Sequence, residues 1–185
     1  MSVFFFADPS LLLDNNEILS FLSKSNCQNS TKVRMNKYEV LSNFEINKIL
    51  SKYKIFKGAF PADLVPLTGR GSEQAFIINT DENDMPGNHW TALVIRKRKC
   101  FFFDPLGSEC LNMRLLIELK AMGFSYYNYS AKQIQPYKNN NCGYYCIAFI
   151  LSMIKTPNLA NFVTMFAEDC DRNNKICYDF IAKYI

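Results

Sequence analysis

The sequence predicts an α+β fold in which a central mixed or antiparallel β-sheet is flanked by helices. Three stretches dense in aromatic and β-branched residues, typical of strands, cluster between residues 75 and 103, while helical periodicity dominates both ends of the chain. With 185 residues, of which 49% are hydrophobic and 21% charged, the chain has the composition of a globular protein, and its length favours a single domain over residues 1–185.

The N-terminal third is predicted to contain two capped amphipathic helices. Asp14 precedes the first and Ser42 the second, and each is followed three residues later by a glutamate, which is the spacing of a capping box. Behind each pair, apolar residues recur at helical spacing and would face the core. In the second helix these residues are Ile46, Ile49, Leu50 and Tyr53.

The strands of the sheet are predicted to follow a loop rich in Gly and Pro over Gly58–Gly71. The strand segments are Ala75–Asn79, Trp90–Ile95 and Cys100–Phe103. The basic run Arg96–Lys99 separates the last two strands and is predicted to form the tip of a hairpin. In an antiparallel hairpin, the start of the first strand lies opposite the end of the second.

The C-terminal half is predicted to contain four helices and one further strand. Ser108 is placed at the N-cap of the first of these helices, which Gly123 ends. Strand signals follow over Phe124–Tyr129. The remaining apolar segments predict three helices, at Cys142–Ile154, Asn158–Cys170 and Asp171–Tyr184.

Cysteine usage and charge restrict the environment and the partners. The seven cysteines lack the regular spacings of a disulfide framework, so we expect a reduced, intracellular protein whose cysteines mostly pack in the core. No secretory signal opens the sequence, and the longest apolar run is far shorter than about 20 residues, which predicts no membrane association. With a single histidine, a zinc site would need cysteine ligands, and the pair Cys142 and Cys146 has no matching partner pair, so we expect no zinc. The net charge of +4 permits an acidic partner without requiring one.

His89 is the sole histidine, so every mechanism that depends on an imidazole must use it. It lies where a turn enters a predicted strand, and Asp104 lies where the aromatic strand Phe101–Phe103 ends. Considered separately, the histidine fits a structural role and the aspartate fits a turn. If His89 pairs with Asp104 across the predicted hairpin, the carboxylate would hydrogen-bond the imidazole, fix its tautomer and stabilise its charged form.

Cys142 begins the most apolar predicted helix. A thiol at a helix N-terminus lies at the positive end of the helix dipole, and a nearby imidazolium would further favour the nucleophilic thiolate, although such a cysteine considered alone more often only packs. Gly143 would keep the backbone clear for a substrate chain, whereas Cys146, one turn later, would face the interior. Gln135 is placed to donate to an oxyanion beside the Cys142 N–H, although considered alone it fits a solvated loop glutamine, and Gln133 is a less well placed substitute.

The order and local sequence of these residues resemble the adenovirus-type protease family, adenain, which shares a clan with proteases of SUMO and ubiquitin-like proteins. The resemblance covers roughly residues 58–155. The order His, Asp, Cys differs from papain, in which the cysteine comes first, although the implied fold is that of the papain-like clan. The matching residues are His89-Trp90, the strand ending in Asp104-Pro105-Leu106-Gly107, Gln135, and Cys142-Gly143-Tyr144-Tyr145-Cys146.

The resemblance implies a thiol endopeptidase that cleaves virion precursor proteins or polyproteins after a small residue such as glycine during virion maturation. Such an enzyme would be encoded by a DNA virus or a virus-like mobile element. Trp90 would either wall the channel for the small residue or pack in the core. Asp104 stands where adenovirus enzymes commonly have glutamate and SUMO-type relatives have aspartate, so the branch stays open. The implied roles are His89 as general base, Asp104 as its orienting acid, Cys142 as nucleophile and Gln135 in the oxyanion hole.

We expect no required metal or other cofactor, while an activating peptide or DNA is left open. Adenovirus proteases are activated by a short peptide that forms a disulfide, and DNA stimulates them. Cys110 is the only cysteine between Asp104 and Cys142 and aligns poorly with the family's site, so we do not predict the peptide disulfide. The candidate DNA contact is the basic run of Arg96, Lys97, Arg98 and Lys99, which a solvated hairpin tip also explains.

Two other functions remain open at the level of sequence. A protease that removes SUMO or ubiquitin from host proteins would share the chemistry and differ in its substrate. A non-catalytic module would instead grip DNA through the basic hairpin. For the viral protease, we expect a monomer in the host nucleus or cytoplasm that is also packaged in the virion.

Overall fold

The computed structural model describes residues 40–69, 73–128, 132–155 and 160–185, and the predicted helix that begins at Asp14 lies outside them. Within these residues, no helix is long and apolar enough to cross a membrane. The helices are α1 (Asn43–Leu50), α2 (Met113–Ala121), α3 (Cys142–Lys155), α4 (Ala160–Thr164) and α5 (Asn173–Ile181), with a 3₁₀ turn at Cys170–Arg172. The strands are β1 (Phe56–Phe60), β2 (Gln74–Asn79), β3 (Trp90–Arg96), β4 (Lys99–Phe103) and β5 (Ser125–Asn128).

The strands form one mixed sheet in the order β1-β2-β3-β4-β5, which confirms the predicted α+β class. β2, β3 and β4 pair antiparallel, while β1 runs parallel to β2 and β5 runs parallel to β4. The prediction of a loop from Gly58 onward was wrong for its first residues, which belong to β1. Gly58 adopts φ +140° where the register of β1 shifts, so this glycine marks an irregularity in a strand that pairing with β2 stabilises.

Helix α1 has the predicted capping box. The Glu45 N–H donates to Ser42 Oγ at 3.3 Å, and the Ser42 N–H donates to the Glu45 carboxylate at 2.8 Å. Ile46 and Leu50 are fully buried on the inner face. Because the helix ends at Leu50, Tyr53 lies beyond it, and its hydroxyl donates to the Tyr184 carbonyl at 2.9 Å.

The tip of the β3–β4 hairpin is the predicted basic run. Arg96 pairs with Lys99 at the last rung of the ladder. Lys97 and Arg98, between them, have positive φ angles of 47° and 66°, the backbone of a tight two-residue turn. The hairpin is therefore closed at its far end, and its open end carries His89 and the residues after β4.

The register of this hairpin differs from the prediction. Ala92 pairs with Phe103, so continuing the ladder places Asp104 opposite position 91 instead of opposite His89. His89 and Asp104 are therefore diagonal neighbours on adjacent strands. Diagonal neighbours remain within reach of long side chains, so the side-chain contact survives the change in register.

The prediction that Ser108 caps helix α2 was wrong, because the helix begins at Met113. Asn112 caps it, because its Oδ1 accepts from the Leu115 N–H at 3.0 Å. Its Nδ2 also donates to the Ala62 carbonyl at 2.8 Å, a distant contact that the local sequence does not reveal. Gly123, with φ +73°, follows the end of the helix as predicted.

The C-terminal region has shorter helices than predicted. Helix α4 covers only the start of the segment predicted from Asn158 to Cys170, and α5 begins two residues after the predicted start at Asp171. Asn173 explains the break, because its side chain bonds to loop backbone. Its Oδ1 accepts from the Ala167 N–H at 2.8 Å, and its Nδ2 donates to the Ile134 carbonyl at 2.9 Å.

Helix α3 is the buried centre of the fold and lies against β3. Every residue of α3 up to Met153 is buried, which is typical of a helix that packs on several sides. Phe149 stacks on Phe103 of β4 with ring centroids 4.7 Å apart. The second turn of α3 is tied to the start of β3, because Cys146 Sγ donates to the Trp90 carbonyl at 3.2 Å. Cys146 is therefore a packing residue, as predicted.

Candidate active site

His89 lies immediately before β3, at the open end of the hairpin. Its carbonyl accepts from the Thr80 N–H at 2.9 Å, so the backbone at His89 is held against the end of β2. The imidazole is largely enclosed, with 14% of the side chain exposed. The predicted position at a strand start, rigid and beside a cleft, is the observed one.

Asp104 follows directly after β4 and is buried. Its Oδ1 lies 2.7 Å from His89 Nε2 and also accepts from the Leu106 N–H at 2.8 Å. The second bond is that of an Asx-type turn, so Asp104 is a turn residue and the partner of the imidazole at once. The turn fixes the carboxylate, and the carboxylate fixes the ring.

Cys142 is the first residue of α3, and its thiol is hydrogen-bonded to the imidazole of His89. Since Asp104 occupies Nε2, Nδ1 is the ring nitrogen that remains for the sulfur. The thiol also lies at the positive end of the α3 dipole. The structure thus brings the sole imidazole, the carboxylate and the helix-initial thiol into one chain of hydrogen bonds.

The pKa of His89 is raised by its two partners. Burial alone would lower this pKa, but the hydrogen bonds with Asp104 and Cys142, with the negative charge of both groups, outweigh burial and raise the pKa to about 9. The imidazole therefore holds its proton at neutral pH. A protonated imidazole beside a sulfur favours the thiolate, which is the form that attacks a carbonyl.

Gln135 lies on the loop before α3 and lines the same cleft as His89 and Cys142. It is 3% exposed, and its Nε2 donates to the Asn139 carbonyl at 2.7 Å, which identifies the nitrogen of the amide. That bond uses one of the two N–H groups of the amide and leaves the other for a ligand. Gln133 donates to the Gln135 carbonyl at 2.7 Å and supports this loop instead of replacing Gln135.

Asn174 extends this arrangement, and no sequence motif pointed to it. Its Oδ1 accepts from Asn139 Nδ2 at 3.0 Å and from the Tyr145 hydroxyl at 2.9 Å. Asn139 in turn holds the amide of Gln135 through its carbonyl. The loop that carries Gln135 is thereby fastened to the first turn of α5, more than 30 residues away in the chain.

Replacing Asn174 by alanine should lower kcat by about 10-fold with little change in KM. The substitution loosens Asn139 and thereby the amide of Gln135, which acts on the transition state if it donates to the oxyanion. Steady-state peptide cleavage measures the split between kcat and KM. Asn174→Asp, which keeps an acceptor for both donors, is the matched control, and equal losses in the two variants would contradict this role.

Gly107 is a second structural requirement of the site. It has φ +80°, and a Cβ there would lie 2.8 Å from the backbone nitrogen of Gln133, on the loop that carries Gln135. We expect Gly107→Ala to lower the free energy of unfolding by about 1–3 kcal/mol, as measured by chemical denaturation. Gly69→Ala is the control, because no atom lies within 4 Å of a Cβ at that position. Equal effects of the two substitutions would contradict this requirement.

Trp90 and Gly143, the two predicted substrate contacts, differ in their surroundings. Trp90 is 9% exposed, and its Nε1 donates to the Leu41 carbonyl at 2.9 Å, so its ring packs in the core. Trp90 also lines the cleft, so it fills both of the predicted roles. The prediction that Gly143 contacts the substrate was wrong, because a Cβ there would lie 3.2 Å from Leu41 Cβ and 3.5 Å from Ile46 Cδ1. Gly143 allows α3 to approach α1 and faces the core.

Arg96 was predicted to contact DNA with the rest of the basic run, but its guanidinium is engaged within the protein. Its guanidinium donates to the Met153 carbonyl at 2.9 Å and lies 2.8 Å from the Glu73 carboxylate, so it fastens β3 to the end of α3. Lys97, Arg98 and Lys99 are exposed. They lie at the opposite end of β3 from His89, roughly 20 Å away at the usual rise of a strand. DNA contact by this tip stays a prediction.

The fold and the site together define a cysteine protease. The described residues contain no group of three or more His, Cys, Asp or Glu side chains that could hold a metal ion. The thiol and imidazole lie in a cleft of about 380 Å³.

Comparison with known proteins identifies viral relatives. No protein-family profile matches the chain. A protease of snake adenovirus serotype 1 is 26% identical over 160 residues, which cover 69% of this chain and 77% of that protein. A crystal structure of the ASFV pS273R protease has a TM-score of 0.53 and covers 83% of this chain and 70% of its own, and its 17% identity makes this a likeness of fold. The chain is thus similar to viral proteases and resembles adenain.

Proposed function

We propose that this protein is a viral cysteine endopeptidase that cleaves precursor proteins after a small residue such as glycine during virion maturation. The observation that carries the proposal is the chain of hydrogen bonds from Asp104 through His89 to Cys142, which lies in a cleft open to a peptide. A structural histidine would need no thiol at its second nitrogen. The same three groups in the same order can activate a nucleophile.

In the proposed mechanism, the Cys142 thiolate attacks the carbonyl carbon of the scissile peptide bond. The oxyanion accepts hydrogen bonds from the Gln135 amide and from the Cys142 N–H, which as a helix-initial group has no partner within α3. His89 gives its proton to the departing amine, which leaves an acyl-enzyme. His89 then takes a proton from water, which attacks the acyl carbon and releases the free thiolate. Asp104 keeps the ring oriented throughout.

The lining of the cleft supports a peptide substrate with a small residue at the scissile bond. Around the thiol, amide side chains predominate, and His89 is the only titratable group apart from Cys142 and Tyr137 among the described lining residues. Amides suit the neutral, alternating donors and acceptors of a peptide backbone. Trp90 stands beside His89 and narrows the cleft there, which favours a residue without a large side chain.

Peptides that differ only in the residue before the scissile bond test the specificity. We expect kcat/KM to fall by at least about 10-fold from Gly to Val and further to Phe, because a larger side chain meets the wall at Trp90. Equal cleavage of all three would contradict the proposed preference. Fluorogenic tails of ubiquitin and SUMO provide the second arm, and rapid, selective turnover of either would assign the protein to modifier removal instead of virion maturation.

The proposal extends to partners and setting. The protein would act as a monomer inside the infected cell, in nucleus or cytoplasm, and would be packaged with its precursor substrates. We propose that neither a metal nor another cofactor takes part in the reaction. Cleavage measured with and without DNA, and with short peptides added, examines activation. If DNA stimulates the wild type but not the double variant Lys97→Ala, Arg98→Ala, the DNA contact lies at the hairpin tip.

A further inference from the structure

Asn79 presents a buried amide to the catalytic cleft. It is the last residue of β2, is 8% exposed, and lines the cleft together with Gly87 and Trp90. A buried amide normally satisfies both its oxygen and its nitrogen within the protein. Asn79 satisfies only one of them.

The orientation of this amide is fixed by the loop that leads to His89. Asn79 Oδ1 accepts from the Asp81 N–H at 2.9 Å and from the Asn88 N–H at 3.2 Å. Two donors on one atom identify that atom as the oxygen, so a flipped amide would break both bonds. Among the described residues, Nδ2 has no hydrogen-bond partner, and its two N–H groups are therefore available to a ligand.

Gly87 keeps the space beside Nδ2 open. It has φ +85°, and a Cβ at this position would lie 3.0 Å from Asn79 Nδ2. A side chain at position 87 would therefore fill the space that the amide faces. The same two residues, with Val40 and Trp90, also line an adjoining cleft of about 320 Å³, so the two clefts meet at Asn79.

We propose that Asn79 is a substrate-binding residue whose Nδ2 donates to a backbone carbonyl of the substrate. The peptide would run from Cys142 past His89 and Trp90 towards the adjoining cleft. A backbone carbonyl is the acceptor that every peptide offers, so this contact holds an extended chain whatever its side chains are. The inference rests on the proposed function and adds a residue that orients the substrate.

The Asn79→Asp variant separates this role from that of a loop brace. Its carboxylate keeps acceptors for the N–H groups of Asp81 and Asn88 and removes the donor. We expect kcat/KM for peptides to fall by about 10-fold or more, mainly through KM, while the rate of Cys142 alkylation by iodoacetamide and the thermal midpoint stay unchanged. Full peptide cleavage by Asn79→Asp, with loss only in Asn79→Ala, would show that the residue braces the loop and would overturn the proposal.

Substrates with one altered carbonyl provide a second measurement, made on the wild type and on Asn79→Asp. In each peptide of a series, one backbone carbonyl outside the scissile bond is replaced by a methylene group. We expect the replacement at one position to lower kcat/KM by about 10-fold in the wild type. The same replacement should not lower kcat/KM any further in Asn79→Asp. The absence of any such position overturns the inference alone, whereas a wild type that cleaves no peptide overturns the proposed function as well.

Discussion

Replacing Cys142 by alanine is expected to reduce peptide cleavage to background, a loss on the order of 10⁶-fold if the thiolate is the nucleophile. Neither Cys146 nor Cys110 can substitute: Cys146 is fully buried and its sulfur donates to the Trp90 carbonyl, and Cys110 is buried in a hydrophobic cluster with Leu115 and Leu119 of α2. The measurement is steady-state cleavage of a fluorogenic peptide.

The matched control for this loss is Cys110→Ala. Cys110 is 9% exposed and Cys142 is 6% exposed, so the two substitutions remove thiols of similar burial. Cys110→Ala should keep full cleavage, and both variants should unfold cooperatively like the wild type. Residual cleavage above background in purified Cys142→Ala would assign the nucleophile to another residue.

The second large effect is expected for Asp104→Asn, which should lower kcat by up to about 10⁴-fold and shift the pH profile. In the wild type, the protonated imidazole is lost as pH rises through about 9, so the basic limb of kcat/KM lies near that pH. Without the carboxylate charge, the pKa of His89 falls, and the basic limb should move to lower pH. Asp171→Asn, at an exposed position, is the control and should leave both limbs in place.

The same pKa predicts how stability depends on pH. Because the pKa of His89 is raised above its ordinary value of 6.5, the stabilisation from the protonated imidazole is fully present below that pH and is lost as pH rises through about 9. Chemical denaturation across this range should show a smaller decrease for Asp104→Asn than for the wild type. If Asp104→Asn left both the basic limb of kcat/KM and the loss of stability with pH unchanged, the ion pair between His89 and Asp104 would be contradicted.

The trio of His89, Asp104 and Cys142 was predictable because each residue lies at the edge of an element that local sequence defines. A lone histidine before a strand, an aspartate after an aromatic strand and a cysteine before an apolar helix need only the strand pairing to meet. The predicted pairing placed Asp104 two residues away, along β3, from its observed partner position. The contact survived because diagonal neighbours across two strands are close enough for these side chains.

The supporting residues could not be predicted, since their contacts join distant parts of the chain. Asn174 reaches Asn139 across 35 positions, and Asn79 reaches Asn88 around a loop whose path the sequence does not define. Strand β1 was missed for a related reason: it is short, contains Gly58, and owes its existence to parallel pairing with β2. Gly143 was assigned to the substrate because the proximity of α1 to α3 is invisible in sequence.

Labelling with a peptide that ends in a thiol-reactive group, followed by mass spectrometry of the digested protein, tests the central claim most directly. We predict a single adduct on the sulfur of Cys142, formed rapidly at neutral pH and slowly in Asp104→Asn. An adduct that maps to another cysteine, that persists in Cys142→Ala, or that never forms would mean that this imidazole does not activate this thiol.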